Sequence, residues 1–286
     1  MTGGQQTGTP HAQRARLGGE LRRLRKLAGL SGRDVARLIG ASQAHISRVE
    51  NGQAVPPLPQ VSTWADAVRA NDDARALLAM LAEAAVNEVD SWRTQFDAGL
   101  AAMQQDMREV EAAASTLHYF QPSIVPGLLQ TAEYARRVFE ISDVRGWGDH
   151  AAAVAARLER QQVLYQPGKL FEFLLTEAAL RLRIGPPHVI LGQIDHIASL
   201  MSLDSVEIGI IPLDAEARVI PWCGFNLYDE ITDGQAFVTI ELPHAWLTVS
   251  DPDDIAIYRG QLAGIREAAV YGEDARRLLL DTRPQL

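Results

Sequence analysis

The chain has 286 residues, of which 47% are hydrophobic and 22% charged, and its formal net charge is −9. This composition is typical of a folded globular protein and excludes intrinsic disorder over the whole length. No apolar run reaches the roughly 18 to 20 residues that a membrane-spanning helix needs. The N-terminus lacks the apolar core of a signal peptide, and the single cysteine, Cys223, excludes an intrachain disulfide. We therefore expect a cytoplasmic protein without a membrane segment.

The charge is distributed unevenly along the chain. Residues 1–70 contain ten basic and four acidic side chains, so this segment carries +6 and the rest of the chain carries −15. A basic N-terminal segment followed by an acidic remainder is typical of a protein that binds a polyanion such as DNA. A solvated charged face would give the same imbalance, so the motifs must decide between the two.

The N-terminal segment predicts a series of short helices. Leucines at steps of three and four residues predict an amphipathic helix over 16–28, which Gly29 ends. Ser31, followed three residues later by Asp34, resembles the capping box that starts a second helix. Gly40 is placed to end that second helix.

Ser42 marks the start of a third helix, and the turn signal Asn51-Gly52 closes it. A fourth helix is expected from Leu58 to about Arg69, after Pro57. Two short helices joined by a turn of three or four residues form a helix-turn-helix. Such a unit presents its second helix to the major groove of DNA.

Residues Arg16 to Ala70 resemble the XRE, or phage-repressor-like, helix-turn-helix family. The resemblance rests on the segment LGGELRRLRKLAGLSGRDVARLIGASQAHISRVENG. It implies that the recognition helix spans 42–50. It also implies an ion pair between Arg25 and Glu50 that ties the first helix to the third.

The same resemblance implies that Gln43, Ala44 and Arg48 lie at base-reading positions. Gln can bond adenine, Arg can bond guanine, and the Ala methyl can touch a thymine methyl. Gly32 stands where the family often has a Gln that bonds a phosphate, so only its backbone N–H remains for that contact. The candidate DNA-binding residues are Arg23, Gly32, Ser42, Gln43, Ala44, His45, Ser47, Arg48 and Asn51. The alternative is a small helical bundle that binds protein.

Residues 71–117 lack proline and contain one glycine, Gly99. Apolar residues recur at steps of three or four from Leu78 to Leu117, which is close to a heptad pattern. One interpretation is a helical connector that serves as a dimerisation element. The other is a set of helices, broken near Gly99, that pack on the C-terminal half.

The C-terminal segment alternates predicted helices with short strands, and we expect a small, mainly antiparallel sheet flanked by helices. With the helical head, this predicts an α+β multidomain protein. The sequence contains none of the common nucleotide-binding, hydrolase or metalloprotease motifs, so we expect no catalytic residue, cofactor or metal. Cys223 fits an incidental thiol better than a redox sensor. The expected regions are a disordered tail (1–15), the helix-turn-helix domain (16–70), the helical connector (71–117) and an α/β regulatory or partner-binding domain (118–286).

The segments FQPSIVPGLLQTAEYARRVF and DPDDIAIYRGQLAGIREAA resemble an actinobacterial group of XRE regulators with an uncharacterised C-terminal domain. The resemblance implies an antitoxin-like regulator that binds an operator in double-stranded DNA and is encoded beside a small partner protein. We expect a homodimer whose acidic C-terminal domain binds that partner or a small-molecule effector. Two alternatives remain open. One is a DNA-binding head fused to an enzyme, and the other is a protein-interaction scaffold without specific DNA binding.

Overall fold

A computed structural model of the protein describes residues 10–52, 54–91, 100–143, 146, 149–231, 236–242 and 245–283. Within these residues the chain forms two compact units. The first unit contains the described residues up to 91 together with 236–237 and 242–255 from late in the chain. The second unit contains the described residues from 100 to 231, then 238–241 and those from 256 onward.

The elements follow one another with short connections. The helices are α1 (Pro10–Leu27), α2 (Gly32–Leu38), α3 (Gln43–Glu50), α4 (Leu58–Ala67), α5 (Asp72–Val86), α6 (Leu100–Ala113), α7 (Ala132–Ser142), α8 (His150–Arg160), α9 (Glu177–Arg181), α10 (Pro187–Leu200), α11 (Pro252–Ala268) and α12 (Gly272–Asp281). The strands are β1 (Asn87–Ser91), β2 (Ala114–Gln121), β3 (Leu170–Thr176), β4 (Val206–Ile211), β5 (Phe225–Ile231), β6 (Phe237–Leu242) and β7 (Ala245–Val249). Short 3-10 turns span Gly127–Leu129 and Gln161–Tyr165.

The helix boundaries in the first unit follow from local capping chemistry. Ser31 and Asp34 form the predicted capping box at the start of α2. The Ser42 side chain accepts a hydrogen bond from the backbone N–H of His45 at the start of α3. Gly40 has a positive φ of 69°, which lets the chain turn sharply between the two helices. These caps place α2 and α3 in the predicted order.

Helix α1 is longer than the sequence predicts. It begins at Pro10, so residues 10–15, predicted as part of a disordered tail, are helical. Proline is favoured in the first turn of a helix, because the missing N–H has no partner there. The rest of the predicted tail, residues 1–9, lies outside the described residues.

The stretch 71–117 is not one helical connector. It contains α5, the strand β1, α6 and the first residues of β2. Leu78, Leu81 and Ala85 from the predicted apolar stripe are buried in the core of the first unit. Leu100, from the same stripe, is buried with helix residues of the second unit. The stripe is therefore split between two intramolecular cores, and only its later part packs with the C-terminal half, as the second sequence interpretation expected of the whole stripe. The expected break near Gly99 lies outside the described residues.

The second unit contains a mixed sheet with the strand order β6-β5-β2-β3-β4. Strand β2 is antiparallel to β5 but parallel to β3, and β3 is parallel to β4. The parallel pairs are possible because helices α7 and α8 connect β2 to β3, while α9 and α10 connect β3 to β4. The α+β architecture predicted from the sequence is confirmed, and the sheet has more parallel pairing than expected.

Candidate nucleic-acid interface

Helices α1 and α3 approach each other closely at Gly18. A Cβ atom on Gly18 would lie 2.2 Å from the carbonyl oxygen of Val49, which no real side chain permits. At the end of α3, a Cβ on Gly52 would lie 2.9 Å from the backbone nitrogen of Ala15. Both contacts are backbone to backbone, so α3 has little freedom to shift along α1.

A partly buried ion pair holds the same two helices together. Arg25 donates two hydrogen bonds to the Glu50 carboxylate, one of them at 2.8 Å to Oε2, and Arg22 donates a third at 3.1 Å. Arg25 also donates to the carbonyl oxygen of Leu30 at 2.9 Å, after the end of α1. Burial raises the pKa of Glu50, but the hydrogen bonds from Arg25 and Arg22 outweigh it and leave that pKa lowered. Glu50 therefore stays ionised at neutral pH.

These contacts fix which face of α3 meets solvent. Ile46 and Val49 point inward and are buried, while Gln43, Ala44 and Ser47 are exposed. Residues 43 and 47 are one helical turn apart, so they lie on one stripe of the helix surface. The candidate DNA-binding residues that are exposed on or beside α3 are Ser42, Gln43, Ala44, Ser47 and Asn51, whereas Arg48 and His45 are half-buried.

Comparison with known families agrees with this geometry. A family model described as a helix-turn-helix domain matches residues 16–78, which contain most of α1, all of α2 to α4 and the start of α5. A second model, described as a domain of unknown function, DUF5753, matches residues 104–281. The chain belongs to the DUF5753 family. Among curated proteins, no sequence matches the chain.

None of the helices in the described part of the chain combines the length and the hydropathy needed to span a bilayer. Within the same residues, no group of three His, Cys, Asp or Glu side chains is arranged to hold a metal ion.

Within α3 itself, two of the candidate DNA-binding residues are held by side chains of other helices. Gln43 accepts a hydrogen bond at its Oε1 from Arg33 of α2, at 2.9 Å. A ring nitrogen of His45, Nε2, lies 2.8 Å from Oε1 of Gln60 in α4. His45 is half-buried by this contact, whereas Gln43 stays exposed. Sequence spacing within α3 gives no signal for either partner.

Three further candidates lie around α3. Asn51 accepts a hydrogen bond from Arg22 at 2.6 Å, so it is fixed at the end of α3. Arg23 is exposed on α1 and pairs with Glu20, three residues before it, at 2.5 Å. Gly32 is the first residue of α2, and a Cβ there would meet only a methyl group at 3.7 Å. Packing therefore does not require glycine at this position.

In the DUF5753 domain, glutamine side chains hold the segment that carries the family resemblance. Gln161 donates to the carbonyl oxygens of Gly127 and Gln130 at 3.0 and 2.7 Å. Gln193 donates to the carbonyl oxygen of Leu129 at 2.5 Å. All three glutamines are buried, so these bonds satisfy backbone groups that would otherwise be unpaired in the core. These bonds anchor the segment within the domain.

A buried charged cluster lies beside that segment. Nε of Arg160 lies 3.1 Å from the Glu111 carboxylate, which also accepts a hydrogen bond from Tyr119 at 2.9 Å. Arg157 stacks on the ring of Phe139, 4.1 Å from its centroid. These groups are buried, and in some proteins such clusters specify one packing arrangement.

Cys223 is half-buried in the DUF5753 domain. Burial raises the pKa of its thiol, so less of the reactive thiolate is present at neutral pH.

Proposed function

We propose that this chain is a sequence-specific transcriptional regulator of the XRE type. The observation that carries the proposal is the position of α3. It is fixed on α1 by the glycine contact and by the Arg25–Glu50 pair, and it presents Gln43, Ala44 and Ser47 to solvent. In a helix-turn-helix protein, this is the helix that enters the major groove.

We infer the following division of roles on operator DNA. Gln43 and Arg48 bond adenine and guanine, and Ala44 touches a thymine methyl. Ser42, Ser47 and Asn51 add contacts at the two ends and along the exposed stripe. Arg23 and the backbone N–H of Gly32 contact phosphates. His45 braces α3 against α4 through Gln60.

The proposed DNA-binding form is a homodimer. One helix-turn-helix domain covers one half-site, and two domains related by a two-fold axis read half-sites about one helical turn apart. The XRE resemblance supports this arrangement.

For the DUF5753 domain we propose control of DNA binding, without enzymatic activity. Its ligand is a small partner protein encoded nearby or a small-molecule effector, as in an actinobacterial, antitoxin-like regulator. The charge of −15 outside residues 1–70 supports a role away from DNA and suits a basic partner. The protein would act in the cytoplasm.

The test is a fluorescence-anisotropy titration of the full chain against DNA from upstream of its own coding sequence. We would titrate at roughly 50 and 200 mM salt, with scrambled DNA as competitor. Binding that survives the competitor and weakens steeply with salt supports the regulator. Equal displacement by scrambled DNA would contradict sequence specificity. No binding at low salt would overturn the proposal in favour of a protein-interaction role.

A further inference from the structure

A cavity of about 840 Å³ lies in the second unit, beside the first residues of β3 and β4. Its polar lining comes from the sheet, from α11 and from the turns before β4 and α12, and its apolar lining includes Leu170 and Leu203. A second hollow of about 610 Å³ shares Leu203 and the adjoining turn residue Asp204. The volume and the mixed lining are those of a small-molecule site.

The polar part of the cavity is built around Glu172. This residue lies in β3, among buried apolar neighbours, and is itself buried. Arg266 of α11 donates to both carboxylate oxygens, at 2.6 and 2.7 Å, and Nδ1 of His118 lies 2.7 Å from Oε2. His118 and Glu172 are register partners on adjacent parallel strands. The charge of Glu172 is therefore compensated inside the protein.

Two other carboxylates at the cavity have no such contact, although the charge of Glu207 does act on Arg266 and helps to raise its pKa. Glu207 is the register partner of Glu172 on β4, and Asp204 lies just before that strand. Both are exposed, and neither forms a hydrogen bond or ion pair with another described residue. The negative charges of Glu172 and Glu207 both interact electrostatically with the Tyr271 hydroxyl. Burial, together with these charges, raises the pKa of Tyr271 to about 12, so its hydroxyl stays neutral.

We propose that this cavity binds a small organic amine, with a protonated nitrogen carried on an apolar body. The ammonium group would donate to the Glu207 carboxylate and the Tyr271 hydroxyl, while Leu170 and Leu203 would contact the apolar body. An anion is disfavoured, because Glu172 already occupies the Arg266 guanidinium and Glu207 would repel it. Only the regulatory consequence, a change in operator affinity, rests on the proposed function.

The experiment is a calorimetric titration of the full chain, without DNA, with 3-phenylpropylamine. The matched anion, 3-phenylpropionate, has a similar apolar body and the opposite charge. We expect saturable binding of the amine alone. Glu207→Gln should weaken it by about fivefold, as expected for one partly exposed charge pair. Glu133→Gln removes an exposed carboxylate of α7 outside the cavity lining and should leave the affinity unchanged.

Three results would overturn the proposal. The first is that the amine shows no saturable binding up to about 5 mM. The second is that 3-phenylpropionate binds as tightly as the amine. The third is that Glu207→Gln and Glu133→Gln change the amine affinity equally. Because no DNA is present, failure of operator binding leaves this test intact. The anisotropy titration with operator DNA, repeated with saturating amine, then tests whether the amine regulates DNA binding. A change in operator affinity supports this regulation, and an unchanged affinity refutes it.

Discussion

At the scale of the single residue, the packing of α1 on α3 depends on the absence of a side chain at Gly18. We expect Gly18→Ala to destabilise the protein by about 1–3 kcal/mol, because its Cβ would overlap the Val49 carbonyl oxygen. Gly19 is the matched control, since it is the next residue of the same helix and a Cβ there meets nothing within 4 Å. Gly19→Ala should stabilise by up to about 1 kcal/mol. Thermal unfolding of both variants measures the difference, and equal effects would show that the close contact is absent.

Glu50 supplies a second residue-scale prediction. Glu50→Gln leaves the Arg25 guanidinium, whose side chain is 13% exposed, without its charged partner. We expect a loss of about 2 kcal/mol in the free energy of unfolding, because an uncompensated charge remains partly buried. Glu20→Gln breaks the more exposed pair with Arg23, which solvent screens, and should change stability much less. Similar losses in urea-induced unfolding of the two variants would refute the structural importance of the Arg25–Glu50 pair.

At the scale of the element, α3 reads sequence through a few exposed side chains. Gln43→Ala should reduce discrimination at one base position by about 1–3 kcal/mol, because a bidentate contact is lost. Gln105→Ala removes an exposed glutamine of α6 and serves as the matched control. Selection of binding sites from a randomised DNA library measures the base preference of both variants. An unchanged preference in Gln43→Ala would show that Gln43 does not contact a base. Arg48→Ala tested in the same way should relax a different position.

Arg23 on α1 should act on all sequences alike. Arg23→Ala removes a phosphate contact, so we expect uniform weakening and a salt slope reduced by about 1. The pair with Glu20 must open or reorient for this contact, and Glu20→Gln should therefore bind DNA slightly more tightly. Anisotropy titrations at several salt concentrations measure both slopes. A loss confined to one operator sequence would show that Arg23 reads a base.

The sequence predicts those elements whose signals are local. Ser31, Asp34 and Ser42 act within three residues of themselves, so the starts of α2 and α3 could be read directly from the chain. Strand β1 could not be predicted from local signals, since Asn87–Ser91 lies in an apolar stripe with helical spacing. Its pairing partner, β7, is more than 150 residues away in the sequence.

In the candidate DNA-binding site, too, some contacts could be predicted from the sequence and others could not. The resemblance to a known family pointed to Arg25 and Glu50, which the structure brings together. It gave no sign of the hydrogen bonds that link Gln43 to Arg33 and His45 to Gln60. These contacts depend on how α2 and α4 are oriented against α3, which the sequence of α3 alone does not specify.

At the scale of the whole molecule, stability should fall in acid partly through Glu172. Burial opposes ionisation, but His118 and Arg266 lower the pKa of Glu172 from an ordinary 4.5 to about 2. The folded state thus binds fewer protons than the unfolded state between these values. The stabilisation is full above about pH 4.5 and is lost as the pH falls toward 2.

Glu172→Gln tests this contribution. The variant should lose about 2 kcal/mol at neutral pH, less than the full pKa shift implies because Arg266 is partly exposed. The deficit relative to wild type should shrink as the pH falls from about 6 to about 3. Thermal unfolding across that range measures it, and a constant deficit would mean that packing, and not charge, accounts for the loss.

The pairing of β1 with β7 has a consequence for how the protein is made. The unit that contains the helix-turn-helix includes residues 242–255, so its final strand leaves the ribosome more than 150 residues after β1. Until then β1 has an unpaired edge, which is a site for unwanted association during synthesis. The helices of the first unit can form early through local contacts, whereas the strand pair must wait for translation to reach residue 249.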